Sequence, residues 1–306
     1  MIIYQYIPKE KGLEAIKNKS TLLKKPIEFN DPFDCHFYIS EREKEKTFKL
    51  FVNYCFFKEL YDLFFVKRIV PNKCIALANV AKGNIALLAK KLKKTKTYYF
   101  QPDVDMYMKL GEMYTGKRIE DFRPLFDAEV EKILKQARKS ILVSCFSLDY
   151  KSILMWSHYS DKHKGICIEY DINDEENFKN VIYKKKEPCF QLTRIMKIIL
   201  GHDFIGEEIH SDIDLYGFAL KPILAKYTDW KYEKEVRCAF SAKSTDERIW
   251  ADGDKIFLRM PKPRKVYIGC KADEDYIRDI KKVVGDIPVQ RMRIVDGKYA
   301  VEEDSL

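Results

Sequence analysis

Two carboxylates stand one residue apart in the run Trp230-Lys231-Tyr232-Glu233-Lys234-Glu235-Val236-Arg237. Read as a strand, this run turns Glu233, Glu235 and Arg237 to one side and Tyr232, Lys234 and Val236 to the other. A face with two acids and a guanidinium is costly to bury unless its charges are paired. Two carboxylates a pleat apart are also a catalytic device, because each raises the other's pKa and the two can take different roles. A same-strand Glu–Arg ion pair is the plainer alternative.

A second polar-aromatic run is longer. It comprises Ser144-Cys145-Phe146-Ser147, then Met155-Trp156-Ser157-His158-Tyr159, then His163-Lys164-Gly165 and the strand-like stretch 166–171. His158 and His163 lie five residues apart next to Trp156 and Tyr159, in a loop between two expected strands that is suited to grip a polar aromatic ligand. The same residues would also make a packed aromatic corner with His158 in the core. The third run is Glu28-Phe29-Asn30-Asp31-Pro32-Phe33-Asp34-Cys35. Asn and Asp bond their own backbone and Pro fixes φ, so Asn30-Asp31-Pro32 is turn chemistry. The turn is either structural or a rigid pocket wall from which Asp31 or Asp34 reaches a ligand.

The elements that must position these runs follow from periodicity. Alternation predicts strands at 1–7, 21–29, 141–147, 164–171, 181–186, 235–242, 255–260, 265–270 and 289–295. Helices are expected over 9–18, 212–226 and 273–284, the last with acids at its start and Gly285 just past its end. Ile75, Leu77, Ala78, Ala81, Ile85, Leu88 and Leu92 recur at helical spacing, as do Phe126, Val130, Ile133 and Leu134. The sum is one α+β domain over 1–306, with a split, mostly antiparallel β core and a helical insertion at 41–140.

Composition removes several classes. The chain has 306 residues, 46% hydrophobic and 34% charged, with only 12 Gly and 11 Pro, which excludes collagenous and low-complexity architectures. No apolar run approaches the ~18 residues of a membrane span. No secretory signal is visible at the N-terminus, so a cytoplasmic protein without membrane partners is expected. The eight Cys are scattered without a CxxC pair and read as reduced, mostly buried thiols, with no metal site expected. There is no GxGxxG after a strand, no GxxxxGK[ST], no HExxH and no GxSxG. Lys and Arg number 56 against 47 Asp and Glu, a net +9. Residues 63–102 hold nine basic residues and no acid, which equals the whole excess. Such a segment attracts nucleic-acid phosphates or is a solvated helix face.

Together the three runs resemble the uncharacterised bacterial family known as domain of unknown function 2971. Its members look alike in an F-N-D-P-F-D block, a C-F-S…M-W-x-H-Y…H-x-G block and a W-x-Y-E-x-E-x-R block, here at Phe29–Asp34, Cys145–Gly165 and Trp230–Arg237. The family name carries no activity. A second resemblance does: the E-x-E at Glu233 and Glu235 is similar to the glutamate motif of ADP-ribosyltransferases. That resemblance implies an NAD-binding cleft in a split α+β core. Glu235 would stabilise the oxocarbenium-like ribosyl cation and Glu233 would orient the acceptor, because a carboxylate beside a developing sugar cation lowers the barrier. The first strand, Tyr4-Gln5-Tyr6-Ile7, departs from the pattern by offering no Arg or His, which passes that role to Tyr6 or to His158.

The expectation is therefore an ADP-ribosyltransferase-like enzyme that cleaves NAD, in the setting of a toxin or phage-defence effector. Glu235, Glu233 and His158 would be catalytic. Tyr6, Asn30, Asp31, Ser147, Trp156, Tyr159 and His163 would bind NAD, and the basic segment would hold a nucleic-acid acceptor. Two alternatives stay open. One is a metal-dependent nuclease or phosphodiesterase using Asp31, Asp34, Glu169, Glu233 and Glu235 as hard oxygen ligands. The other is a non-catalytic nucleotide- or protein-binding module.

Overall fold

The computed structural model describes residues 1–29, 31, 33–61, 112, 115–204 and 215–304. Asn30, the basic segment 63–102 and the helical spacing read at Ile75–Leu92 lie outside them. The chain divides into two compact units, Met1–His36 with Ala137–Pro188 and Leu215–Leu306, and Phe37–Gln136 with Cys189–Asp214.

The first unit is built from β1 (Ile2–Ile7), α1 (Lys9–Asn18), β2 (Ser20–Leu23), β3 (Ile141–Ser147), a short helix Ile153–Tyr159 and β4 (Ile166–Asp171). It continues with β5 (Phe178–Asn180), β6 (Ile182–Lys184), a helix Tyr216–Ile223, β7 (Ala225–Tyr227), a 3-10 helix Thr228–Glu233 and β8 (Glu235–Ser241). The remainder is β9 (Ile249–Asp252), β10 (Lys255–Arg259), β11 (Lys265–Ile268), a helix Glu274–Val284, β12 (Val289–Ile294) and β13 (Val301–Glu303). Eight strands form one sheet in the order β13-β12-β11-β4-β1-β3-β8-β5, antiparallel except for β11 beside β12. Smaller sheets pair β2-β10-β9 and, in parallel, β6-β7. The chain is α+β.

Period-2 alternation gives the main sheet two different faces. One carries Ile3, Ile7, Phe146, Ile168, Val236 and Phe240, closed by Ile16 of α1 and by Tyr276, Ile277 and Ile280 of the helix Glu274–Val284. That helix starts on Asp273, whose side chain accepts from the Tyr276 N–H, and stops at Gly285 with φ +64°. The other face is aromatic and polar. Tyr6, Cys167 and Tyr267 pack there against Met155 and Trp156 of the short helix. The strand expected over 21–29 stops at Leu23, and Pro26 opens a 3-10 turn in its place, because proline cannot donate to a ladder.

In the second unit the helix Glu41–Tyr61 packs on Leu192–Phe204, and Thr47 shares a buried hydroxyl contact with Thr193 at 2.8 Å. Phe126, on the helix Arg123–Lys139, packs against Phe48 and Phe51. Phe126, Val130, Ile133 and Leu134 are all buried, as their spacing predicts.

Candidate functional site

The polar face of the main sheet carries a buried charge cluster, and β8 sets its register. Ser147 stands opposite Glu235, and Cys145 opposite Arg237; Tyr4 of β1 stands opposite Ser147. One row of the sheet thus reads Tyr4, Ser147, Glu235 across three adjacent strands. Arg237 is wholly buried. Its Nε donates to Glu235 Oε1 at 2.7 Å and its Nη2 to both Asp34 oxygens at 2.7 and 2.8 Å. Its Nη1 donates to the Ile223 carbonyl and the Cys35 sulfur. A guanidinium supplies five donors in a rigid fork, so it can sit at 0% exposure with its charge met on several sides.

Lys226 of β7 is the second cation. Its Nζ donates to Glu233 Oε2 and to Glu235 Oε2, the latter at 3.1 Å, and lies 3.6 Å from Asp34 and 4.9 Å from the centre of the Trp230 ring. Glu233 is completed by Tyr159, whose hydroxyl donates to Oε1 at 2.7 Å. The Glu233 carbonyl accepts from Ser147 Oγ at 2.6 Å. All three sequence runs therefore meet: Asp34 from the first, Ser147 and Tyr159 from the second, Glu233, Glu235 and Arg237 from the third. Three carboxylates face two cations, a residual charge of −1.

The two glutamates are not equivalent. Burial by itself would raise Glu235, but Arg237 and then Lys226 outweigh it and hold the carboxyl well below the usual range. Burial pushes Glu233 up, and Lys226 and Tyr159 offset this only in part. The mutual raising expected of a pleat-spaced pair is thus corrected: one is driven down because a guanidinium grips it. The strand reading of Glu233 is corrected too. Glu233 ends a 3-10 helix, Lys234 takes a left-handed φ of +46°, and the strand begins at Glu235.

Cys145 is solvent-exposed although it stands mid-strand near the centre of the sheet. Its thiol is ringed by protein, which together with Glu235 pushes its pKa up. The Cys145 thiol hydrogen-bonds Glu235, so this exposed residue borders the buried charge cluster. Only Cys35, Cys167 and Cys238 of the seven described cysteines are buried, fewer than expected; all seven are free.

Other expected site residues sit elsewhere. Trp156 is 0% exposed, its Nε1 donating to the Tyr150 carbonyl at 2.7 Å and its ring meeting Tyr6 edge-on. Tyr6 is buried with its hydroxyl on the Asp149 carbonyl. Both belong to the packing beneath the site. His158 is exposed and takes no part in the charge cluster. His163 bonds Ser157 Oγ through Nε2 at 3.1 Å and stacks near Trp156; burial and then Lys271 lower its pKa. The turn that carries it needs close backbone approach. A Cβ on Gly269 would fall onto the His163 carbonyl, and one on Gly165 onto the Ile7 carbonyl. Asp31 caps the Phe33 N–H at 2.9 Å.

The oxygen-ligand set of the nuclease alternative does not gather. Glu169 pairs with Tyr267 and Arg264, while Lys226 and Arg237 stand among Asp34, Glu233 and Glu235. Among the described residues no group of three or more His, Cys, Asp and Glu is placed to hold a metal ion. None of their helices is long and apolar enough to cross a membrane. Sequence reasoning missed Lys226, placed in a helix, and Tyr183, whose hydroxyl accepts from the Glu235 N–H at 2.8 Å. The signal for Lys226 was its place at the head of the same polar-aromatic run, Lys226 to Arg237.

The model of the family described as Protein of unknown function (DUF2971) matches residues 155–238. This stretch runs from the Trp156 helix to Cys238 of β8, and it bears out the resemblance to that family. No curated protein and no solved structure matches the chain.

Proposed function

We propose that this chain is an ADP-ribosyltransferase-like enzyme that cleaves NAD and passes ADP-ribose to an acceptor. The observation that carries this is the separation of the two glutamates. A pair of acids whose surroundings drive their pKa values apart is equipped for two different jobs. Glu235, held ionised by Arg237 and Lys226, suits electrostatic stabilisation of a ribosyl cation. Glu233, pushed up by burial, suits taking a proton. In the step, the bond from C1′ of the ribose to the nicotinamide nitrogen breaks and its electron pair leaves with nicotinamide. The acceptor hydroxyl then bonds to C1′, and its proton passes to Glu233. Cys145, exposed and bonded to Glu235, would border the sugar.

The basic segment 63–102 would offer phosphate contacts to a nucleic-acid acceptor, and a toxin or phage-defence effector would be the setting for such chemistry. A non-catalytic nucleotide-binding module is favoured by one observation, that Arg237 and Lys226 already occupy both Glu235 oxygens. Nicotinamide release from NAD, followed with and without a chelator, tests the proposal. Alkylation of the exposed Cys145 supplies a second readout, because NAD seated beside Glu235 slows it. Release that survives chelation and protection of Cys145 are expected. Protection without release selects the binding module, and neither release nor protection overturns both readings.

A further inference from the structure

Beside the charge cluster, and wholly within the first unit, lies a cleft of about 400 Å³, a size within the usual range for small-ligand sites. One wall is the β6-β7 pair, where Tyr183 stands opposite Lys226 and Lys184 opposite Tyr227. Paired residues leave a sheet on the same side. Tyr183 and Lys226 reach Glu235, and Lys226, Tyr227 and Lys184 line the cleft together with Lys185 and Lys186, which follow β6. Asp31, Phe33 and His36 form the opposite wall.

The charges of this cleft are unevenly met. Glu187 bonds His36 at 3.0 Å and Asp31 accepts from the Phe33 N–H, so the cleft sets two acids against four lysines, Lys184, Lys185, Lys186 and Lys226. Lys184, Lys185 and Lys186 are exposed and have no ion pair among the described residues. Three ammonium groups without an ion pair, in a concave site whose lysines outnumber its acids, make a place for a polyanion. Its aromatic groups are also unspent. Phe33 is 76% exposed and Tyr227 50%, and both line the cleft next to Trp230. Large apolar rings left in water at a concave site gain burial when a planar ligand enters.

We propose that this cleft binds the nucleoside-diphosphate part of a dinucleotide, with the phosphates on Lys184, Lys185 and Lys186 and the base against Phe33 and Tyr227. The site thereby deepens the NAD reading, on which it rests for the ligand's direction. Lys226 lines the cleft and pairs with Glu233 and Glu235, so the cleft adjoins the charge cluster, and the NAD reading sets the nicotinamide ribose at that end.

The test is calorimetric titration of the full chain with ADP, inorganic pyrophosphate and adenosine, for wild type, for K184E/K185E/K186E and for F33A. The lysines are exposed, so the triple variant folds, which an unchanged melting temperature verifies. ADP is expected to bind wild type, to lose at least about tenfold in affinity in the triple variant, and to weaken with rising salt. F33A weakens ADP and leaves pyrophosphate unchanged, while adenosine is insensitive to the lysines. No ADP binding by wild type, or equal ADP binding by wild type and the triple variant, overturns the site. A chain that binds ADP through these lysines and releases no nicotinamide from NAD retains the cleft assignment and loses the catalytic one.

Discussion

Replacing Glu235 with Gln removes one charge from the centre of the network with almost no change in volume. Gln can still accept from Arg237 Nε through one oxygen. Its amide then faces two donors, Arg237 Nη2 at 3.2 Å and Lys226 Nζ at 3.1 Å, where the carboxylate had accepted both. Breaking a buried ion pair from one side costs about 3–5 kcal/mol. Arg237 keeps both Asp34 contacts and the Ile223 carbonyl, which places this substitution near about 3 kcal/mol on that scale. At about 2–4 °C per kcal/mol the melting temperature falls by about 6–12 °C.

The acid limb changes as well. A carboxyl depressed in the folded state contributes stability above its unfolded pKa of about 4.3 and loses it as pH falls toward the folded value. Wild type therefore loses up to about 1.4 kcal/mol per pH unit below about pH 4 on account of this residue, and E235Q lacks that component. Nicotinamide release per folded molecule drops about 100–1,000-fold, with NAD binding retained, because the charge matters most in the transition state. Thermal melts from pH 3 to 7 and turnover on the same preparation check all three. An unshifted melting temperature refutes the network energetics, and undiminished turnover per folded molecule refutes the catalytic role.

Tyr159→Phe deletes the hydroxyl that donates to Glu233 and costs about 1.5–3 kcal/mol for a hydrogen bond to a charged group. Glu233 then rises further, so the acid limb of nicotinamide release moves to higher pH, which a pH–rate profile reads directly. Lys226→Met leaves three carboxylates to Arg237 alone and destabilises by about 3–5 kcal/mol near neutrality. Glu233 is a raised carboxyl, so the sign reverses relative to Glu235: its contribution is present at low pH and is lost as pH rises through the folded value. Urea titrations should thus find K226M closer to wild type at pH 5 than at pH 8. Gly269→Ala drives a methyl into the His163 carbonyl and costs about 1–3 kcal/mol as an overpacked site, whereas Gly217→Ala, in the helix Tyr216–Ile223 with open space around it, should cost less in the same urea series. Equal midpoints for the two would refute the close approach.

Much of the frame was legible from residue order. Strand 141–147, the helix at 9–18 and the helix closed by Asp273 and Gly285 were readable, because alternation, capping side chains and a terminal glycine act within a few residues of where they are written. So was the distinctness of the three polar-aromatic runs. The Trp230–Arg237 run shows where local reading ends: period 2 put Glu233 on the strand, but a left-handed Lys234 puts it on a 3-10 turn.

Partnership was decided only in three dimensions. Asp34 and Arg237 are separated by 203 residues, Tyr159 and Glu233 by 74, and no spacing rule links residues so far apart. The pKa split follows from that assembly, since identical side chains two residues apart diverge only because Arg237 reaches one of them. The same holds for Trp156 and Tyr6, which sequence offers as NAD-binding aromatics and packing consumes as core. It holds equally for Lys226, a member of a helical pattern by sequence and the shared cation of two glutamates once β7 lies beside β6. Composition and periodicity report what each segment can bury, whereas the site depends on which buried charges the sheet register brings face to face.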